Sequence, residues 1–106
     1  MAPTQDQYEV ALGALRADAD TWEQCAADLD AAKGTAGGLD LEALHFSYVA
    51  DKLGVTAIYQ QFQDKLVRLL DEGRTMSTAV AAALRASAQT YQEEEEAGVH
   101  RMNNIW

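Results

Sequence analysis

The chain has 106 residues, 48% of them hydrophobic, and 17 acidic against 8 basic side chains give a formal net charge of −9. That length suits one small domain, and that charge repels nucleic acid and anionic membrane surfaces, so neither is expected as a partner. The single cysteine excludes an intramolecular disulfide, and the longest apolar run, Ala79 to Leu84, is too short to span a bilayer, so no membrane insertion is expected. Met1-Ala2-Pro3-Thr4-Gln5-Asp6 has neither a basic n-region nor an apolar h-region, so no cleaved secretory leader is expected. Helix formers dominate, β-branched residues are sparse, and the one proline, Pro3, stands at the start. These propensities predict an all-α chain.

Thr4 followed by Gln7 forms a capping box that opens the first helix. Tyr8, Leu12, Leu15, Ala19, Trp22, Ala26 and Leu29 then recur at alternating spacings of four and three, a coiled-coil seam that asks for a partner helix. Arg16, Asp18, Asp20, Glu23, Asp28 and Asp30 occupy the opposite, solvated side. The first helix is expected over about 5–33, ended by the glycines of Gly34-Thr35-Ala36-Gly37-Gly38. Asp40 is a good N-cap for a short helix from Leu41 to Leu53, closed by Gly54, so 34–54 reads as a connection with a short helix inside it.

A second long helix is predicted over about 55–99. At 100° per residue, Ile58, Tyr59, Phe62, Leu66, Leu69, Leu70, Met76, Val80, Leu84, Ala88 and Tyr91 share one third of its circumference. The register survives Gly73 and favours a continuous helix, with a break there and a new start at Thr75 or Ser77 as the other reading. A tail is expected over 100–106. The result is an antiparallel helical hairpin forming a single domain over 1–106. Its apolar stripe on the second helix is wider than one neighbour covers, so dimerisation into a four-helix bundle is the expected completion. The candidate partner-binding residues are Leu12, Leu15, Trp22, Leu29, Phe62, Leu66, Leu69, Met76, Val80 and Leu84.

No catalytic constellation emerges. His45 and His100 lack the acid and nucleophile neighbours of a triad, and Glu96 with His100 makes at most a two-ligand metal site, more naturally an ion pair. The carboxylates read as solvated, Cys25 as a small apolar residue beside the seam, and Gly37-Gly38 as a turn without the lysine of a phosphate loop. No enzyme activity, metal or cofactor is expected. Trp22 is expected to pack in the hairpin, whereas Trp106, beside Met102 and Ile105, is either frayed or an anchor for a partner. Tyr91 and Glu95 lie four apart on one helix face, where a receptor can read them together. The run Glu93 to Glu96 sits near the predicted helix C-terminus, where acid opposes the macrodipole; that points to a use outside the folded monomer.

The segment Ala82-Ala83-Leu84-Arg85-Ala86-Ser87-Ala88-Gln89-Thr90-Tyr91-Gln92-Glu93-Glu94-Glu95 is similar to the A-x-L-R-x-x-A-x-x-Y-x-x-x-[DE] ending of the EspC-like secretion-target branch of the WXG/ESX superfamily of type VII secretion substrates. Leu70-Asp71-Glu72-Gly73 and the Gly-rich connection add to this resemblance, which covers roughly Tyr8 to Val99. It implies a helical hairpin exported without a cleaved signal, after a cytoplasmic pool, by an ATPase-driven machine. Tyr91 and Glu95 match that family's Y-x-x-x-[DE] export signal, and one member of a pair carries the tag for both. No W-x-G stands at the turn: Trp22-Glu23-Gln24 lies inside the first helix. That pattern fits the EspC-like branch, or a helper that pairs with a larger effector's N-terminal helices. The expected function is therefore a non-enzymatic secretion substrate or secretion partner that pairs with a helical protein and is recognised by a secretion ATPase. The alternative is a cytoplasmic acidic adaptor or immunity-type protein that neutralises a basic partner through Asp18, Asp20, Asp28 and Asp30.

Overall fold

A computed structural model describes residues 4–40 and 47–105, with side chains through residue 98. Three helices follow one another, α1 (Gln5–Gly37), α2 (Tyr48–Lys52) and α3 (Val55–Ile105), and no strand occurs among the described residues. The protein is an all-α helical hairpin: segments of α1 lie antiparallel to segments of α3, with α2 in the connection. No helix among the described residues is long and apolar enough to cross a membrane.

The capping box forms as its sequence predicts: the Gln7 N–H donates to Thr4 Oγ1 (3.1 Å) and the Thr4 N–H to Gln7 Oε1 (2.9 Å). At its other end α1 runs to Gly37, four residues past the expected stop at Lys33. Each helical glycine costs about 1 kcal/mol relative to alanine, and tertiary contact offsets that cost here. Ala36 is buried, and the Gln63 side-chain amide, arriving from α3, donates to the carbonyls of Ala36 (2.9 Å) and Gly37 (3.4 Å). Ala36 O also accepts from the Leu39 N–H (3.3 Å), so the Gln63 amide adds to the capping of this last turn.

The connection also departs from expectation. α2 is only five residues long and is capped by Ser47, whose hydroxyl accepts from the Ala50 N–H (3.1 Å). The proposed start at Asp40 and Leu41 is not where α2 begins, and residues 41–46 lie outside those described. Asp40 instead offers its carboxylate to Gln63 (3.1 Å). Gly54 closes α2 as expected, at φ +83°, a conformation glycine reaches without strain.

α3 is continuous through Gly73 and continues past the expected end at Val99 to Ile105, so most of the predicted tail is helical. Side-chain pairs Gln89 to Glu93 (3.0 Å) and Gln92 to Glu96 (3.2 Å), each one turn apart, support it ahead of Gly98. The extension also removes the macrodipole argument: Glu93 to Glu96 lie more than two turns from the helix end, and that effect fades within the last turn.

The chain forms two compact units, Met1–Gln24 with Ser77–Trp106, and Cys25–Met76. In the first, Leu12 and Ala19 of α1 are buried together with Ser77, Ala81 and Ala88 of α3. Arg85 reaches Asp20 (2.9 Å) and Glu23, and Arg16 donates to Gln92 Oε1 (2.6 Å). In the second, Ala26 and Ala36 of α1 and Thr56 and Gln63 of α3 are buried. Lys33 pairs with Asp71 (2.9 Å), and Arg74 pairs with Asp71 (3.0 Å) and Asp30 (3.6 Å). The hydrogen bonds from Lys33 and then Arg74 hold the Asp71 carboxyl below its ordinary value of 3.8. Gly73 lets α3 approach α1 closely: a Cβ there would stand 3.2 Å from Leu29 Cδ1.

Leu12 apart, the buried positions of both seams carry small or polar side chains, and no large side chain is fully buried among the described residues. A buried methyl or methylene contributes about 0.8 kcal/mol, so these alanines give little cohesion per contact.

Candidate partner-binding surface

Four large apolar side chains of α3 in the second unit point away from its seam. Ile58 is 65% exposed, Phe62 62%, Leu69 56% and Met76 64%. At 100° per residue these four fall within about 40° of arc, while the buried Thr56 and Gln63 lie roughly 130° round the helix. The stripe is thus a distinct second face of α3, left bare when the first face closes on α1. Tyr48, Val49 and Leu53, around α2, are also exposed, with the Lys52 ammonium 5.4 Å from the centre of the Tyr48 ring.

The ten partner-binding candidates separate by position. Leu12 is buried, and Leu15, Leu29, Leu66, Val80 and Leu84 are half-buried. Phe62, Leu69 and Met76 are exposed on the stripe just described, and Trp22 remains 41% exposed rather than sealed in the hairpin. Ile58 completes the stripe, yet the candidates omit it although the periodicity includes it. Cys25 is half-buried.

Tyr91 and Glu95 stand in the first unit, one turn apart on α3. Tyr91 is 58% exposed and Glu95 is half-buried. Both line a groove of about 630 Å³ whose other wall is α1, where Tyr8, Ala11, Leu12, Ala14 and Leu15 supply an apolar surface. Asp18 from α1 and Glu94 from α3 stand at the same groove. Small side chains at Ala11 and Ala14 leave the space open; the seam pattern shows Tyr8 and Leu12 but not this opening, which depends on what α3 places opposite.

Tyr8 is the most constrained group in the groove. Its hydroxyl is buried with no hydrogen-bond partner, which ordinarily costs free energy. Burial raises its pKa from 10.0, and the charges of Glu95 and Glu96 raise it further against the opposing effect of Arg16. Among the glutamates of the run, Glu93 and Glu96 accept from Gln89 and Gln92, whereas Glu94 and Glu95 have no such partner among the described residues.

The acidic side of α1 is less free than its sequence suggests. Asp20 and Glu23 both meet Arg85, and Asp30 meets Arg74, although each carboxylate keeps most of its surface in solvent. The side chain of His100, and with it the suggested Glu96–His100 pair, lies outside the described residues, as do His45, Trp106 and the side chains of Met102 and Ile105. No family model, no curated protein and no solved structure matches the chain.

Proposed function

We propose that this chain is a non-enzymatic helical partner protein that is exported by a type VII (ESX-type) secretion machine. In this reading the hairpin pairs with another helical chain, completing a four-helix bundle, and supplies Tyr91 and Glu95 as the signal a secretion ATPase recognises. The observation that carries it is the bare stripe of Ile58, Phe62, Leu69 and Met76. Fully burying one such side chain stabilises by about 1.5–3 kcal/mol, so covering four that are already one-third buried offers about 4–8 kcal/mol. Against that stand the ordering costs of association, so the partner must bring a matching apolar face and further contacts. A second helix pair does both.

Two further features support the reading. Tyr91 is exposed and Glu95 stands one turn on, so a receptor reaches both from one side. The seams are alanine-rich, which leaves the hairpin short of burial by itself and makes pairing favourable before export. The alternative of an acidic adaptor that neutralises a basic partner through α1 draws less support, because Asp20 and Asp30 already face arginines of α3.

Co-expression with the product of the neighbouring cistron, followed by light scattering, tests the pairing. A complex of two chains that is lost in Phe62→Ser/Leu69→Ser is the expected result; a dilution-resistant monomer would remove it. Export is tested separately by the secretion of Tyr91→Ala and Glu95→Ala, and normal export of both would withdraw the signal assignment.

A further inference from the structure

We infer that the groove in the first unit is a docking site for a basic amphipathic helix, a surface separate from the bare stripe of α3. Its wall on α1 extends from Gln7 to Asp18, twelve residues whose eleven rises of 1.5 Å span about 16 Å. Its wall on α3 is supplied by Tyr91, Glu94 and Glu95, and the space between the two helix faces is about 630 Å³. It matches two turns of a helix presenting apolar side chains at i, i+3 or i+4, and i+7. Ala11, Leu12, Ala14 and Leu15 form the apolar floor, and their small members make room for the incoming side chains.

Charge selects the occupant. Asp18 on one wall and Glu94 and Glu95 on the other bracket the floor with carboxylates. Arg16, the cation that acts on Tyr8, is turned to Gln92. A helix flanked by lysine or arginine meets both walls favourably, whereas a second copy of this chain, with 17 acidic and 8 basic side chains, brings like charge. The groove shares Tyr91 and Glu95 with the proposed export signal, but helix binding there requires neither export nor pairing through the stripe.

The test is fluorescence anisotropy on the full-length chain with three labelled 14-residue helical peptides. One has leucines on one face and lysines elsewhere, the second has the same composition with leucines spread around the helix, and the third replaces lysine by glutamate. The first is expected to bind at least tenfold more tightly than the others. Ala14→Trp, which fills the groove from an exposed position, should weaken it at least tenfold with helix content unchanged. Asp18→Lys/Glu94→Lys should weaken it and flatten its salt dependence. Equal binding of the permuted peptide would reduce the effect to net charge and overturn the inference. So would binding that survives Ala14→Trp, absence of binding by the first peptide, or a homodimer that Ala14→Trp dissociates, which would make a second copy the occupant.

Discussion

Replacing Gln63 by methionine isolates the contact that ends α1. The side chain is buried, and its amide donates to Ala36 O at 2.9 Å, to Asp40 Oδ1 at 3.1 Å and more distantly to Gly37 O at 3.4 Å. Methionine keeps the length and most of the volume but removes the donor. A typical neutral hydrogen bond contributes about 1 kcal/mol net, and one to a charged group about 1.5–3 kcal/mol. The exposed Asp40 belongs at the low end, and Ala36 O retains the Leu39 N–H at 3.3 Å, so its carbonyl is not wholly orphaned. A loss of about 2 kcal/mol follows, with the apolar methionine recovering a little of the gross effect. For a domain of this size that lowers Tm by roughly 8 °C, read by circular dichroism. Hydrogen exchange should localise the damage to the Gly38 and Leu39 amides that close the last turn. Gln63→Glu should cost more at neutral pH, because it aims a carboxylate at three acceptors. A Gln63→Met melt within 2 °C of the parent, with unchanged exchange at Gly38, would refute the claim that this amide carries α1 across its glycines.

Two further predictions concern glycine and acid. Gly13→Ala meets nothing within 4 Å inside α1 and should stabilise by about 1 kcal/mol, whereas Gly54→Ala forces a side chain to φ +83° and should destabilise by about 1–2 kcal/mol; paired thermal melts compare them. Asp71 has its folded pKa below 3.8, so its contribution is present above 3.8 and lost as pH falls through the lower folded value. Urea titrations between pH 5 and 2 should therefore show a steeper loss of stability for the parent than for Asp71→Asn, and parallel curves would contradict the assigned hydrogen bonds.

The seam of α1 was legible because a 3.5-residue period repeats with enough apolar members to define one face; Leu12, Ala19 and Ala26 are buried where that period puts them. The capping box of Thr4 and Gln7 and the close at Gly54 were legible for a different reason, since both are local chemistry that needs no distant partner. The face of α3 that meets α1 was legible only in part. Of the eleven residues the hydrophobic periodicity places on one face, Ala88 is buried, Tyr59, Leu66, Leu70, Val80 and Leu84 are half-buried, and Ile58, Phe62, Leu69, Met76 and Tyr91 are exposed, while the hairpin also buries Thr56, Gln63, Ser77 and Ala81. Burial ranked by hydropathy differs from burial ranked by closeness of fit: small side chains bring two helices together, and Lys33, Arg74 and Arg85 fasten the edges. The end of α1 was misplaced at Lys33 because propensity is a weak prior that packing overrides, here through the Gln63 amide, and α3 runs on past Val99 to Ile105. Tyr91 and Glu95 were legible as a spaced pair, but the groove beside them depends on residues some 80 positions away in sequence.

By itself the sequence determined that the chain is helical, where its first helix starts and which side of that helix is apolar, since these follow from propensity, capping and period along a single helix. Only the tertiary structure decided which of two available faces of α3 turns inward, and hence which large side chains stay in water. That choice rests on small and polar side chains between the helices and on ion pairs across them; the buried Thr56, Gln63, Ser77, Ala81 and Ala88 do recur at helical spacings, but a hydropathy pattern gives most such residues little weight.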